Sequence, residues 1–64
     1  MKVGDTVSKN GIMYIVISMT KYLNDTYIFV MNKYDDTDVK FYKCMNELIE
    51  VTDIDIIKEI VKDM

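Results

Sequence analysis

Apolar and polar residues alternate along most of the chain, and near residue 52 the period changes. From Lys2 to Ser8, Val3 and Val7 alternate with polar neighbours around Asp5, which predicts a short edge strand. Asn10-Gly11 follows, a strong hairpin signal because a type I′ turn needs positive φ at both central positions. Ile12 to Tyr22 is the main strand. Met13, Ile15, Ile17 and Met19 share one face, and Tyr14, Val16, Ser18 and Thr20 the other. Both faces are apolar in its first half, so both should be covered there. Asn24-Asp25 marks a second turn. Thr26 to Lys33 reads as a third strand, with Tyr27, Phe29 and Met31 opposite Ile28 and Val30, a β-branched and aromatic run. Tyr34 to Asp38 reads as a polar turn. Val39 to Met45 is a fourth strand, with Val39, Phe41 and Met45 on one face. Asn46-Glu47 turns the chain into a short fifth strand, Leu48 to Val51.

A helix over about residues 53–63 closes the pattern. Thr52 is a candidate N-cap, with Asp55 three positions on in a variant capping box. Asp53 and Asp55 sit where the helix dipole favours negative charge, and Lys62 sits near the other end. Ile54, Ile57, Val61 and Met64, with Ile60 beside them, form an apolar stripe, while Lys58, Glu59, Lys62 and Asp63 face water. Eleven residues are too few for a stable isolated helix, so this one must dock on the sheet.

Five short strands and a helix predict a mainly β, α+β fold. The expected form is a five-stranded antiparallel SH3-like barrel or strongly bent sheet with the helix packed on it. The whole chain, residues 1–64, is one domain. Gly4-Asp5, Tyr14-Ile15-Val16, Tyr27-Ile28-Phe29-Val30 and Leu48-Ile49-Glu50-Val51-Thr52-Asp53 give it a resemblance to the small uncharacterised β-barrel proteins of low-GC Gram-positive bacteria and their phages. That resemblance implies a fold and no mechanism.

Composition points the same way. Phe, Tyr, Met, Ile, Asn and Lys, which have AT-rich codons, supply 34 of the 64 residues, and Arg, Ala and Pro are absent. The expected source is a low-GC genome, its phage or a mobile element. The longest apolar run, Ile12 to Ile17, is far below the ~20 residues that span a bilayer. The N-terminus lacks the apolar stretch of a signal peptide. A single cysteine fits a reducing cytoplasm. The expectation is therefore a cytoplasmic chain without a membrane segment.

The chemistry available is narrow. With no His there is no Ser–His or Cys–His couple, and with no Arg there is no bidentate phosphate clamp. Cys44 has no evident base and reads as a structural thiol. Asp35-Asp36-Thr37-Asp38 is the one acidic cluster to test as a cation site. In an EF-hand register from Asp36, Asp38 and Glu47 fit, but Lys40 and Phe41 fall where an oxygen ligand and Gly are needed. No catalytic residue, metal or cofactor is expected, and the chain reads as a non-enzyme. Five Tyr and two Phe give a small barrel the means to stack bases, so a single-stranded nucleic-acid-binding barrel is the alternative function. A net charge of −3 without Arg opposes tight binding.

The leading expectation is thus a small acidic protein-binding module, a phage or mobile-element inhibitor of a host factor in its most specific form. The helix can cover only one face of so small a sheet. The other is expected to expose Tyr14 and Val16, with Ile28 and Val30 beside them, as a contact surface. A homodimer with two-fold symmetry is the simplest way to cover it.

Overall fold

The computed structural model describes residues 1–62; Met64, expected in the apolar stripe, and Asp63, expected to face water, lie outside the described residues. Five strands run β1 (Thr6–Lys9), β2 (Ile12–Tyr22), β3 (Asp25–Asn32), β4 (Asp35–Cys44) and β5 (Leu48–Glu50), followed by α1 (Ile54–Val61). Every neighbouring pair is antiparallel and the sheet order equals the chain order. The result is a meander curled into a half-barrel with one helix on its outside, the mainly β architecture expected.

The turns explain the strand ends. Asn10 and Gly11 take φ of 54° and 80°, and Leu23 and Asn24 take 51° and 70°. Both are left-handed pairs of the kind that matches strand twist in two-residue hairpins. The second turn is therefore Leu23-Asn24, one residue earlier than the sequence suggests. Lys33 and Tyr34 join β3 to β4, so Asp35 to Asp38 belong to β4 rather than to a long polar turn. Local bonding inside this hairpin replaces the expected loop: Asp35 Oδ1 accepts from the Thr37 amide at 3.0 Å and its hydroxyl at 2.6 Å. At the N-terminus a tight turn takes up residues 2–5. The Lys2 amide donates to Asp5 Oδ2 at 2.9 Å, and the Asp5 amide donates back to the Lys2 carbonyl at 3.1 Å. The strand expected from Lys2 thus starts at Thr6.

One irregularity decides which residues face inward. Val16 pairs with Val30 but Ser18 pairs with Phe29, so Ile17 has no cross-strand partner. This extra residue is a β-bulge, which bends its strand and increases the local twist. It also shifts the alternation by one. Tyr14 and Val16 face inward before it and Met19 faces inward after it, opposite Ile28. Strict alternation had placed Met19 with Met13, Ile15 and Ile17.

Two hydrophobic clusters result. The inner one holds Tyr14, Val16, Ile28, Val30 and Tyr42, with Val7, Met19, Cys44 and Leu48 packed against it. It contains strand residues only. The outer one holds Tyr27, Phe41 and Ile60, with Tyr22, Phe29, Val51 and Ile57 around them. Here the helix docks. Its N-cap is Asp53, not Thr52: Asp53 Oδ1 accepts from the Asp55 amide at 2.9 Å and from the Ile56 amide at 3.4 Å. Of the expected helix stripe, Ile60 is fully buried and Ile57 half-buried, while Ile54 and Val61 stay exposed.

The expected contact surface is overturned by this packing. Tyr14, Val16, Ile28 and Val30 are all 2% exposed or less. Coiling of the sheet, helped by the bulge, folds their face onto itself, and the helix covers part of the opposite face instead. A dimer through these four side chains is excluded because they are the core of a single chain.

Candidate functional site

The outer face is where apolar side chains remain uncovered. In the register Thr6, Ile15, Met31 and Val39 lie side by side across β1, β2, β3 and β4. Met13 continues the row along β2, and Ile17 stands out at the bulge. Met13, Ile17 and Val39 are exposed, and Ile15 and Met31 are half-buried. α1 packs over the other half of this face, at Tyr27 and Phe41, and leaves this belt open. No charged side chain belongs to the belt. The alternating patterns already grouped Met13 with Ile15 and Phe29 with Met31. Which of the two faces stayed open was the missing step.

The covered half of the face is aromatic. The Tyr27 and Phe41 rings stack at 5.6 Å and 11°. Phe29 meets Phe41 edge-on at 4.6 Å, and Tyr22 meets Tyr27 edge-on at 6.5 Å. Four of the seven aromatic residues therefore share one surface across three adjacent strands. Lys43 lies on the same face opposite Tyr27 and pairs with Asp25 at 3.3 Å.

A polar group closes one end of the half-barrel. Asn32 Nδ2 donates to Asp38 Oδ2 at 3.1 Å, and Lys40 Nζ lies 3.1 Å from Asp38 Oδ1. The Asn32 hydrogen bond, and after it that of Lys40, holds the Asp38 carboxyl below its ordinary 3.8. The same contact holds Lys40 above its ordinary 10.5. Burial pushes the Tyr42 phenol up. These groups support one another, so Asp38 serves the fold rather than a loose acidic turn. Among the described residues no three His, Cys, Asp or Glu side chains are grouped to hold a metal ion.

Beside the β4–β5 turn lies an open groove of about 490 Å³ lined by Asp25, Cys44, Met45, Asn46, Glu47 and Ile49. Cys44 is half-buried, and burial pushes its thiol up, the wrong direction for a thiolate nucleophile. A second groove of about 290 Å³ is lined by Met19, Thr20, Lys21 and Thr26. No helix among the described residues is long and apolar enough to cross a membrane. Comparison with known proteins returned no match to a family model, a curated protein or a solved structure.

Proposed function

We propose that the protein is a small acidic, non-enzymatic protein-binding module and that the outer belt of Met13, Ile15, Ile17, Met31 and Val39 is its contact surface. The observation that carries this reading is the uncovered apolar row on a face whose other half is covered by the helix. Contiguous exposed apolar side chains favour interaction sites. The occupant is a second copy of the chain, paired by a two-fold axis. The belt holds no charge, so facing it with itself sets no like charges together, although each copy carries −3. Acids exposed elsewhere on the chain, among them Asp35, Asp36, Glu47, Glu50, Asp53 and Asp55, leave the assembled surface negative. Such a surface steers association toward basic partners, the property a blocker of a basic host protein needs.

Light scattering at tens of micromolar tests this. The expected mass is twice the 7.5 kDa of one chain, falling to one chain in Val39→Lys with an unchanged circular dichroism spectrum. A wild-type monomer, or a dimer indifferent to Val39→Lys, overturns the belt as the self-contact.

A further inference from the structure

The aromatic half of the outer face is built unlike the rest of the core. Tyr27 and Phe41 are buried under α1, but Tyr22 and Phe29 at its margins are only half-buried. Tyr22 comes from β2, Tyr27 and Phe29 from β3, and Phe41 from β4. Adjacent strands are about 4.8 Å apart, so rings on three of them make one contiguous aromatic cluster, with Tyr27 and Phe41 stacked at its centre and Phe29 and Tyr22 edge-on at its margins. Aromatic side chains on an open sheet are the means by which small β domains stack unpaired bases.

The cover over this surface is separable. It is eight residues long, too short to persist without its docking contacts. Ile60 alone is fully buried in it, with Ile57 half-buried beside. The inner cluster contains no helix residue. Undocking α1 therefore opens the aromatic cluster and leaves Tyr14, Val16, Ile28, Val30 and Tyr42 packed.

The cover also carries much of the acidity. From Thr52 onward the sequence holds four acids and two lysines, and residues 1–51 hold seven acids and six lysines. The net charge of −3 divides into −2 for the C-terminal segment and −1 for the barrel. Lifting the helix moves the exposed Asp55 and Glu59 away from this face and leaves Lys43, ion-paired with Asp25, beside Tyr27.

From these observations we infer that α1 is a displaceable acidic cover over a base-stacking platform of Tyr22, Tyr27, Phe29 and Phe41, and that the ligand of the uncovered platform is single-stranded nucleic acid. With the helix docked the platform is closed, and apparent affinity is reduced by the fraction of open molecules. This inference concerns the covered half of the outer face and does not depend on the belt.

The test is fluorescence anisotropy of a labelled deoxythymidine oligomer of about ten nucleotides in about 50 mM salt, comparing the full-length wild type with Ile60→Ala. Ile60→Ala removes docking contacts but keeps a good helix former. The expected result is weak wild-type binding and at least about tenfold tighter binding by the variant. Adding Tyr22→Ala should reverse the gain. In the wild type, the oligomer should speed amide hydrogen exchange in α1 while the methyl resonances of Val16, Ile28 and Val30 stay in place. Three outcomes overturn the inference: Ile60→Ala folds and binds no tighter; it gains mass as an oligomer without binding DNA, which assigns the uncovered platform to a second copy; or it loses the Val16, Ile28 and Val30 signals, which contradicts separate cores.

Discussion

The Tyr14 and Tyr42 rings meet edge to face with centroids 6.2 Å apart and planes at 68°, although β3 lies between their strands. In the register Tyr14 is opposite Asn32, and Tyr42 is opposite Ile28. Four residues along and two strands across correspond to roughly 16 Å between Cα positions in a flat sheet. The rings close that gap because the sheet coils and its concave side chains converge. This contact measures the curl of the half-barrel and explains how so small a chain buries Tyr14, Val16, Ile28, Val30 and Tyr42 on one sheet face.

The first prediction follows from that burial. Ile28 is fully buried at the centre of the inner cluster. Ile28→Ala should cost about 2–5 kcal/mol, most of the stability available to a domain of this size. Val39→Ala, on the open belt, should change stability by less than about 0.5 kcal/mol when measured at concentrations low enough for the chain to be monomeric. Urea titrations followed by circular dichroism give both values. Equal midpoints would contradict the assignment of inner and outer faces.

The element order and most strand positions were legible in the alternation, because period-2 patterning and Asn10-Gly11 are local signals. Which face lies inside was not. Both faces of Ile12 to Ile17 are apolar, so patterning there carries no direction. The bulge at Ile17 then moves Met19 to the inner face, and nothing in Val16-Ile17-Ser18 announces it. The same ambiguity misplaced Tyr14, Val16, Ile28 and Val30 on a surface. Curling, a property of the whole sheet, decided the matter. At the helix start, Thr52 and Asp53 are both good caps, and adjacency alone gave no reason to prefer the second.

That choice of cap is itself testable. Asp53 accepts from two first-turn amides, so Asp53→Ala should destabilise the protein by about 0.5–2 kcal/mol. Thr52→Ala should be nearly neutral. Matched denaturation curves for the two variants decide, and a larger effect at Thr52 would reassign the cap.

Stability should fall at both ends of the pH scale for different reasons. Asp38 is held below 3.8 by Asn32 and Lys40, so its contribution is complete above 3.8 and is lost as pH falls through the lowered folded value. Lys40 is held above 10.5 by Asp38, so its contribution is complete below 10.5 and is lost as pH rises through the raised value. Burial raises Tyr42 above 10.0 and Cys44 above 9.0. Each then favours folding while protonated, and that support fades as pH climbs past those ordinary values. Thermal melts should show a basic limb beginning near pH 9 and an acid limb below about pH 4. Asp38→Asn should flatten the acid limb, and Cys44→Ser should shift the start of the basic limb upward. An acid limb unchanged by Asp38→Asn would show that other carboxylates set it.

The Asn10-Gly11 turn separates backbone conformation from packing. Gly11 sits at φ 80°, and a Cβ built there meets nothing within 4 Å. Any cost of a side chain is therefore conformational, since an L-residue in the left-handed region is disfavoured by roughly 1–2 kcal/mol. Gly11→Ala should lose about that amount with no loss of core contacts. A D-alanine at the same position prefers positive φ. It should be neutral or stabilising, because it also restricts the unfolded chain. A chain of 64 residues is within reach of chemical synthesis, so all three versions can be compared in one set of melts. The order D-Ala at least as stable as Gly, and Gly more stable than L-Ala, follows from the turn geometry alone. If both alanine versions destabilise equally, the cost is steric, and the region around the turn is not open as the structure has it.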